Sequence, residues 1–135
     1  MARRAALMVA LLLGSCTAAP EPPAAPNPAV GAEFARLLAG RVAGPPVTCI
    51  PRYPSQETDV ISENTLAIKQ GAVVYVSQFR GDCNRAGEPG YALVFRSTTM
   101  SGPCENDIAQ VVDTGGRFPV GSCVLGPFVP YRLAH

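Results

Sequence analysis

The sequence lacks several residue types on which enzymes and metal proteins depend. It contains no tryptophan, and its single histidine is His135, the last residue. A Ser or Cys nucleophile usually needs a histidine base that a third group orients, and zinc sites use Cys and His at short spacings. Because the chain has no internal histidine and no C-x-x-C pair, we expect no catalytic triad, no metal site, no cofactor and no dithiol redox centre.

The acidic residues give no clear catalytic pair either. A glycosidase needs two facing carboxyl groups. Asp107 and Asp113 are the better candidates, but on one strand they would lie roughly 20 Å apart, at about 3.3 Å per residue. Asp82 falls in a predicted loop, and Lys69 adjoins a predicted turn in which water should solvate it. Turn, capping or ion-pair roles suit these residues. A hydrolase with an unrecognised site is a third possible function, beside two non-enzymatic ones.

Charge is scarce and nearly balanced. Charged residues make up 16% of the chain, with 11 Lys and Arg against 10 Asp and Glu. Loss of Arg3 and Arg4 with a signal peptide would leave nine basic residues against ten acidic ones. Nucleic acids and anionic membrane surfaces select basic patches, so we expect no nucleic-acid partner.

The N-terminus has the features of an export signal. Arg3 and Arg4 precede Ala5–Leu13, an apolar run of nine residues, which is far shorter than the roughly 20 residues needed to span a bilayer. Leu13-Gly14-Ser15-Cys16 follows and resembles the lipobox of bacterial lipoproteins. An ordinary secretory signal, which also ends in small residues, is the alternative interpretation.

The lipobox resemblance implies a signal peptide over residues 1–15 and lipidation of Cys16 with a diacylglycerol and a further acyl chain such as palmitate. Three chains exceed the two membrane signals needed for stable anchoring, so the membrane would be a partner through the lipid anchor. Thr17 stands where an aspartate would resemble an inner-membrane retention signal. We therefore expect the outer membrane, with the protein facing the periplasm.

A spacer and a helix are predicted next. Residues 16–30 comprise the lipidated cysteine and a linker with five prolines, which favours extended polyproline II of roughly 40 Å, at about 3.1 Å per residue. The globular domain is predicted over residues 31–135. Val30, Phe34, Leu37 and Leu38 share one helical face before Gly40, which predicts a helix at about 29–39.

The rest of the domain has β-strand patterns. Short strands are predicted at 47–50, 91–97, 108–112 and 120–125, with a loop at 51–58 and an edge segment at 128–131 that contains Pro130. A hairpin over 65–79, with a turn at Gln70-Gly71, would pair Ile68 with Val73 and place Leu66, Ile68, Val73 and Tyr75 on one face. The predicted class is α+β: one N-terminal helix and a small, largely antiparallel sheet or open barrel of about six strands, stapled by two disulfides.

Four cysteines remain once Cys16 is set aside: Cys49, Cys83, Cys104 and Cys123. An even number in an exported chain indicates two disulfides, with three possible connectivities. Cys83 and Cys104 flank opposite ends of the strand at 91–97, too far apart to bond. If Val112 lies opposite Val120, Cys104 falls opposite Phe128, roughly 16 Å from Cys123. Elimination leaves Cys49 with Cys104 and Cys83 with Cys123, which would hold the loop 80–90 as a rigid platform.

Four stretches resemble a known family. They are Gly44–Ile50, Gly81-Asp82-Cys83, Cys104–Ile108 and Cys123–Tyr131. Together they resemble a family of small, uncharacterised exported proteins of Gram-negative bacteria, a domain of unknown function, over about residues 38–132. Pro127 stands where that family's pattern has an acidic residue. The resemblance implies no activity.

Two function classes follow. The first is a membrane-tethered envelope lipoprotein that binds an envelope protein partner or helps to maintain the envelope without enzymatic activity. The second is a periplasmic inhibitor or small-ligand-binding module that uses a side chain of the loop 80–90. An exposed apolar patch would favour the first class.

Overall fold

The computed structural model describes residues 28–97 and 99–135. The predicted signal peptide, Cys16 and most of the linker lie outside these residues. The described chain forms one helix and seven strands: α1 Pro28–Leu37, β1 Arg41–Ala43, β2 Gln56–Ser62, β3 Thr65–Gln70, β4 Val73–Asp82, β5 Tyr91–Arg96, β6 Ile108–Asp113 and β7 Pro119–Leu133. Helix α1 therefore begins within the segment that the sequence assigned to the linker.

The strands form one curled antiparallel sheet, a half-barrel. Its order is β2-β3-β4-β7-β6-β5, and the short β1 pairs with the end of β7. The prediction of one short helix, a small antiparallel sheet of about six strands and two cysteine pairs is confirmed in these coarse terms. The described part of the chain is mostly sheet.

Alternating side chains divide the sheet into an inner and an outer face. The inner face carries the larger core, which includes Leu66, Ile68, Val111, Leu125 and Phe128, all fully buried. On the outer face, Ala67, Val74 and Val76 form a second core under α1. The helix contributes its apolar stripe to this core: Phe34, Leu37 and Leu38.

The β3–β4 hairpin has the predicted faces but a different register. Ile68 pairs with Tyr75, not with Val73, and the turn residues are Gly71 and Ala72, because Gln70 still pairs with Val73 across the sheet. The pairing has moved by two positions along β4. Since side chains alternate with a period of two, this shift keeps every side chain on its predicted face.

Two other strand predictions were wrong. The segment 47–50 makes only isolated bridges, Val47 to Phe128 and Cys49 to Cys104. The predicted loop 51–58 gives way at Gln56 to β2, whose alternation in the sequence is obscured by Glu57 and Asp59 on a sheet edge. The segment 47–52 instead lies beside residues 101–104, with backbone bonds from Ile50 to Pro103 and from Arg52 to Ser101.

Strand β7 does not break at Gly126-Pro127, and Pro130 does not lie on an edge strand. The strand continues through both sites, and the irregularity appears as a bulge opposite Ser77 to Phe79. Pro130 pairs with Tyr75 of β4, while its carbonyl oxygen accepts a bond from the Gly44 amide just beyond β1. The Pro130 nitrogen faces the same neighbour, so the bond that proline cannot donate falls just beyond Ala43, where β1 ends.

Candidate functional site

The cysteines lie in the two pairs that elimination selected. Cys49 bonds Cys104 with a Cα–Cα distance of 4.0 Å, and Cys83 bonds Cys123 with a distance of 5.2 Å. The first bond ties the segment 47–52 to the turn before β6. The second joins the end of β4 to β7, next to the Gly81–Cys123 pair. The Cys83–Cys123 bond therefore lies in the inner core, whereas the Cys49–Cys104 bond joins an exposed Cys49 to a buried Cys104.

The loop 83–90 joins β4 to β5 and is most of the segment 80–90 that the sequence predicts as a rigid binding platform; residues 80–82 belong to β4. Arg85 lies over the Tyr91 ring at 4.4 Å and pairs with Glu88 at 3.1 Å, while its amide donates to Glu63. The hydrogen bond with Glu88 is the main factor that raises the pKa of Arg85, so this guanidinium stays charged. Ala86 is buried against the inner core. The loop is held in place, but its most prominent side chain already has partners within the protein.

The candidate carboxylates have structural partners. The buried Asp107 accepts a bond from the Cys104 amide at 2.8 Å. Asp113 accepts the amides of Gly115 and Gly116, each at 2.8 Å, and so closes the β6–β7 turn. The two aspartates lie at opposite ends of β6, as the sequence predicted, and do not form a facing pair. Asp82 is the last residue of β4, opposite Ser122, and not part of a loop.

A charged groove of about 380 Å³ lies between α1 and the β2–β3 pair. Its lining includes Glu33, Arg36, Arg41, Asp59 and Lys69, over an apolar floor at Leu37 and Ile61. Lys69 pairs with Glu57 at 3.5 Å, and Arg41 donates to the Ala72 carbonyl. Charges of both signs on an open surface, two of them with partners in the protein, describe a solvated surface better than a ligand site. His135 is exposed and follows Ala134, whose amide donates to the Gly40 carbonyl.

The surface with the clearest features of an interaction site is the part of the outer face that α1 leaves uncovered. We call it the uncovered face. Its apolar side chains are Ala92 and Val94 of β5, Ile108 and Val112 of β6, and Val120 and Val124 of β7. Val94, Ile108 and Val120 expose 43%, 45% and 37% of their surface. Gln110 and Ser122 lie in the same cross-strand row as Val94 and separate Ile108 and Val124 from Val112 and Val120. Exposed apolar side chains grouped on one face mark interaction sites more often than lone exposed residues do.

Polar groups interrupt and border the uncovered face. Arg96 of β5 donates to Gln110 of β6 at 2.7 Å. At the opposite border Arg80 donates to Asn106 and to the Leu125 carbonyl, and it lies 3.7 Å from Glu105. Arg96 has no acidic partner among residues 28–97 and 99–135. The face thus carries exposed apolar side chains on both sides of the polar pair Gln110 and Ser122, with Arg96 at the β5 end.

Sequence reasoning did not find this face. The alternation of β5 and β6 was visible, but Val94, Ile108 and Val120 were assigned to strands without a surface role. A sequence signal existed, because β5 and β6 carry apolar residues on both of their faces. Whether the second face would be covered depended on where the single helix packs, which the sequence pattern does not specify.

Comparisons with known proteins do not assign this chain to a family. No family model, curated protein or solved structure matches this chain. Among the described residues no group of His, Cys, Asp and Glu is arranged to hold a metal ion. In the same residues no helix has the length and apolar character needed to cross a membrane.

Proposed function

We propose that this protein is a lipid-anchored envelope lipoprotein that acts as a non-enzymatic binding module, and that it binds an envelope protein through the uncovered face. The lipobox-like Leu13-Gly14-Ser15-Cys16 supports the anchor, and the two cysteine pairs suit an oxidising compartment. The resemblance to small exported Gram-negative proteins supports export, and Thr17 after the cysteine supports the periplasmic side of the outer membrane. The uncovered face is the observation that carries the binding role.

The chemistry of the face indicates the kind of partner. The exposed apolar side chains of Val94, Ile108 and Val120 call for apolar surface on the partner. Arg96 at the β5 end donates to Gln110 and has no acidic partner in the part of the chain that the structure describes, so it calls for a carboxylate at the rim of that surface. We therefore propose a folded protein partner that presents an apolar patch with an acidic border.

The anchor is tested by mass spectrometry of protein extracted from the membrane fraction. We expect a mature N-terminus at an acylated Cys16, and a Cys16→Ser variant that leaves the membrane fraction. A mature chain that begins at any other residue would refute lipidation.

The face is tested by photo-crosslinking in intact envelopes from an artificial amino acid at Ile108, with Val120→Asp as the disrupting variant. A carboxylate at the half-exposed Val120 should abolish the crosslink, because it places a charge in a desolvated contact. Val42→Asp is the matched control, since Val42 is 60% exposed on β1, away from this face. One discrete partner that survives Val42→Asp and is lost with Val120→Asp supports the proposal; equal effects of both variants contradict it.

The loop 83–90 supports an alternative, an inhibitor or small-ligand-binding module. Its ordered Arg85–Tyr91–Glu88 contacts present a fixed surface beside β5. If Arg85→Ala removes the crosslinked partner while Val120→Asp does not, the loop and not the uncovered face is the binding surface.

A further inference from the structure

We propose that two copies of this chain pair through β5, antiparallel, so that their sheets and uncovered faces become continuous. Strand β5 (Tyr91–Arg96) ends the sheet order and pairs only with β6 among the residues that the structure describes. An edge strand presents unused backbone donors and acceptors to any second strand that fits it. The occupant proposed here is a second β5.

The backbone geometry shows which groups are free for this pairing. The amide of Thr114 donates to the carbonyl of Gly90 at 3.0 Å, and the two residues lie opposite each other where the β5–β6 register is extended. Antiparallel partners alternate between bonded and non-bonded pairs, so the even-numbered residues of β5 bond to β6. The backbone groups of Leu93 and Phe95 therefore point away from β6, towards the open edge.

The two edges of the sheet differ in how well they are protected against pairing with another strand. Strand β2 carries Glu57 and Asp59 and has a bulge between Val60 and Ser62. The loop 83–90 also covers one end of that edge, with the Arg85 amide bonded to Glu63. Charges, bulges and covering loops are the devices that block edge pairing. Strand β5 has a regular register throughout and a single charge, Arg96, at its end.

One register uses the free backbone groups of both Leu93 and Phe95. If Val94 lies opposite the same residue of the second copy, Leu93 pairs with Phe95 in both directions and four main-chain hydrogen bonds form. A register centred on Leu93 would need the Tyr91 amide, which already donates to Glu88. A register centred on Phe95 would need Ser97, beyond the strand. The Val94-centred register also places Arg96 opposite Ala92 and so keeps the two arginines apart.

The expected contact is small. Four main-chain bonds and a narrow apolar strip fall short of the roughly 1,200–2,000 Å² typical of stable complexes. Pairing should therefore be weak in dilute solution and favoured where copies are concentrated, as on a membrane surface. The inference does not depend on the identity of the partner proposed above, because the partner contacts the face and the second copy contacts the edge.

Cysteine trapping in the full-length protein tests the register. Directly opposed residues in a non-bonded pair have Cα atoms about 4.5 Å apart, within disulfide range. Under mild oxidation Val94→Cys should thus form a covalent dimer on a non-reducing gel. Ala92→Cys is the matched control, because it is exposed on the same strand but would lie roughly 13 Å from its symmetry mate, at about 3.3 Å per residue.

Each outcome decides the proposal. A dimer from Val94→Cys at least several-fold more abundant than from Ala92→Cys supports it. Equal trapping at both positions indicates random collision and overturns it, as does the absence of trapping at Val94. A Val94→Cys adduct with a different protein overturns it in favour of a partner strand. Hydrogen exchange on the unsubstituted protein provides the independent check: the Leu93 and Phe95 amides should gain protection as concentration rises.

Discussion

At the scale of single residues, Gly102 shows how one backbone conformation allows two chain segments to pack together beside the inner core. It has a φ of +136°, and a Cβ there would overlap the Ile50 carbonyl oxygen and lie 2.9 Å from the Arg52 amide nitrogen. The absence of a side chain lets the segment 47–52 pass close to residues 101–104, where Cys49 meets Cys104.

Gly102→Ala should therefore destabilise the protein more than Gly90→Ala. Both glycines have positive φ, but nothing lies within 4 Å of a Cβ at Gly90. The backbone conformation alone should cost each variant about 1–3 kcal/mol, and the overlap at Gly102 should add about 1–3 kcal/mol. Urea denaturation of the two variants measures the difference. Equal losses would show that the two segments do not approach as closely as described.

At the scale of elements, α1 decides which part of the outer face is buried. Its apolar stripe packs on Ile61, Ala67, Val74 and Val76, and it ends before the uncovered face begins. The helix has only ten residues, too short to be stable alone in water. Its order therefore depends on this packing.

Phe34→Ala tests that dependence. Phe34 is partly buried in the second core, under α1. Its truncation should therefore lower the free energy of unfolding by about 1–3 kcal/mol, less than the 3–5 kcal/mol typical of a fully buried phenylalanine. The adjacent Glu33 is exposed, and Glu33→Ala should stay within about 0.5 kcal/mol of the parent. Denaturation midpoints provide the measurement, and a Phe34→Ala variant as stable as Glu33→Ala would mean that α1 does not cover the sheet.

At the scale of the whole molecule, the two disulfides link parts of the chain that are distant in sequence. Their sequence separations are 55 and 40 residues. In the chain-entropy model each such closure stabilises the folded state by at most roughly 4 kcal/mol. This is a large share of the about 5–15 kcal/mol by which domains are stable, because a chain of this size has only a modest core.

Replacement of either cysteine pair should strongly destabilise the folded protein. The double variants Cys49→Ala/Cys104→Ala and Cys83→Ala/Cys123→Ala should each lose roughly 2–4 kcal/mol, measured by denaturant unfolding. Cys16→Ser is the control and should keep the stability of the parent. Peptide mapping of the parent without reduction gives the connectivity; a peptide that joins Cys49 to Cys83 or to Cys123 would contradict these pairs.

Much of the local structure followed from the sequence. The period of two along β3 and β4 assigned Leu66 and Ile68 to one core and Val74 to the other, although the hairpin register was two residues out. The assumed pairing of β6 with β7 holds at Ile108 opposite Val124 and fails only at the bulge near Val112. Face assignment survives such shifts because it depends on parity, whereas register depends on the turn.

The sequence misassigned the strands whose environment depends on residues far away in the chain. Glu57 and Asp59 made β2 look like a loop, because charges on a sheet edge resemble charges in a turn. Pro130 suggested an edge strand, yet it lies within β7 at the point where the short β1 ends. Local pattern cannot report where a neighbouring strand stops.

The sequence by itself determined the composition limits, the facing of the side chains and the set of cysteines available to pair, and it predicts a lipobox-like export signal. Only the tertiary structure decided that α1 covers one half of the outer face and leaves Val94, Ile108 and Val120 exposed. It also decided that β5 is an open edge while β2 is guarded by charge and by the loop 83–90. The physical reason is that periodicity shows which side chains share a face, whereas covering a face requires a contact between elements far apart in the chain.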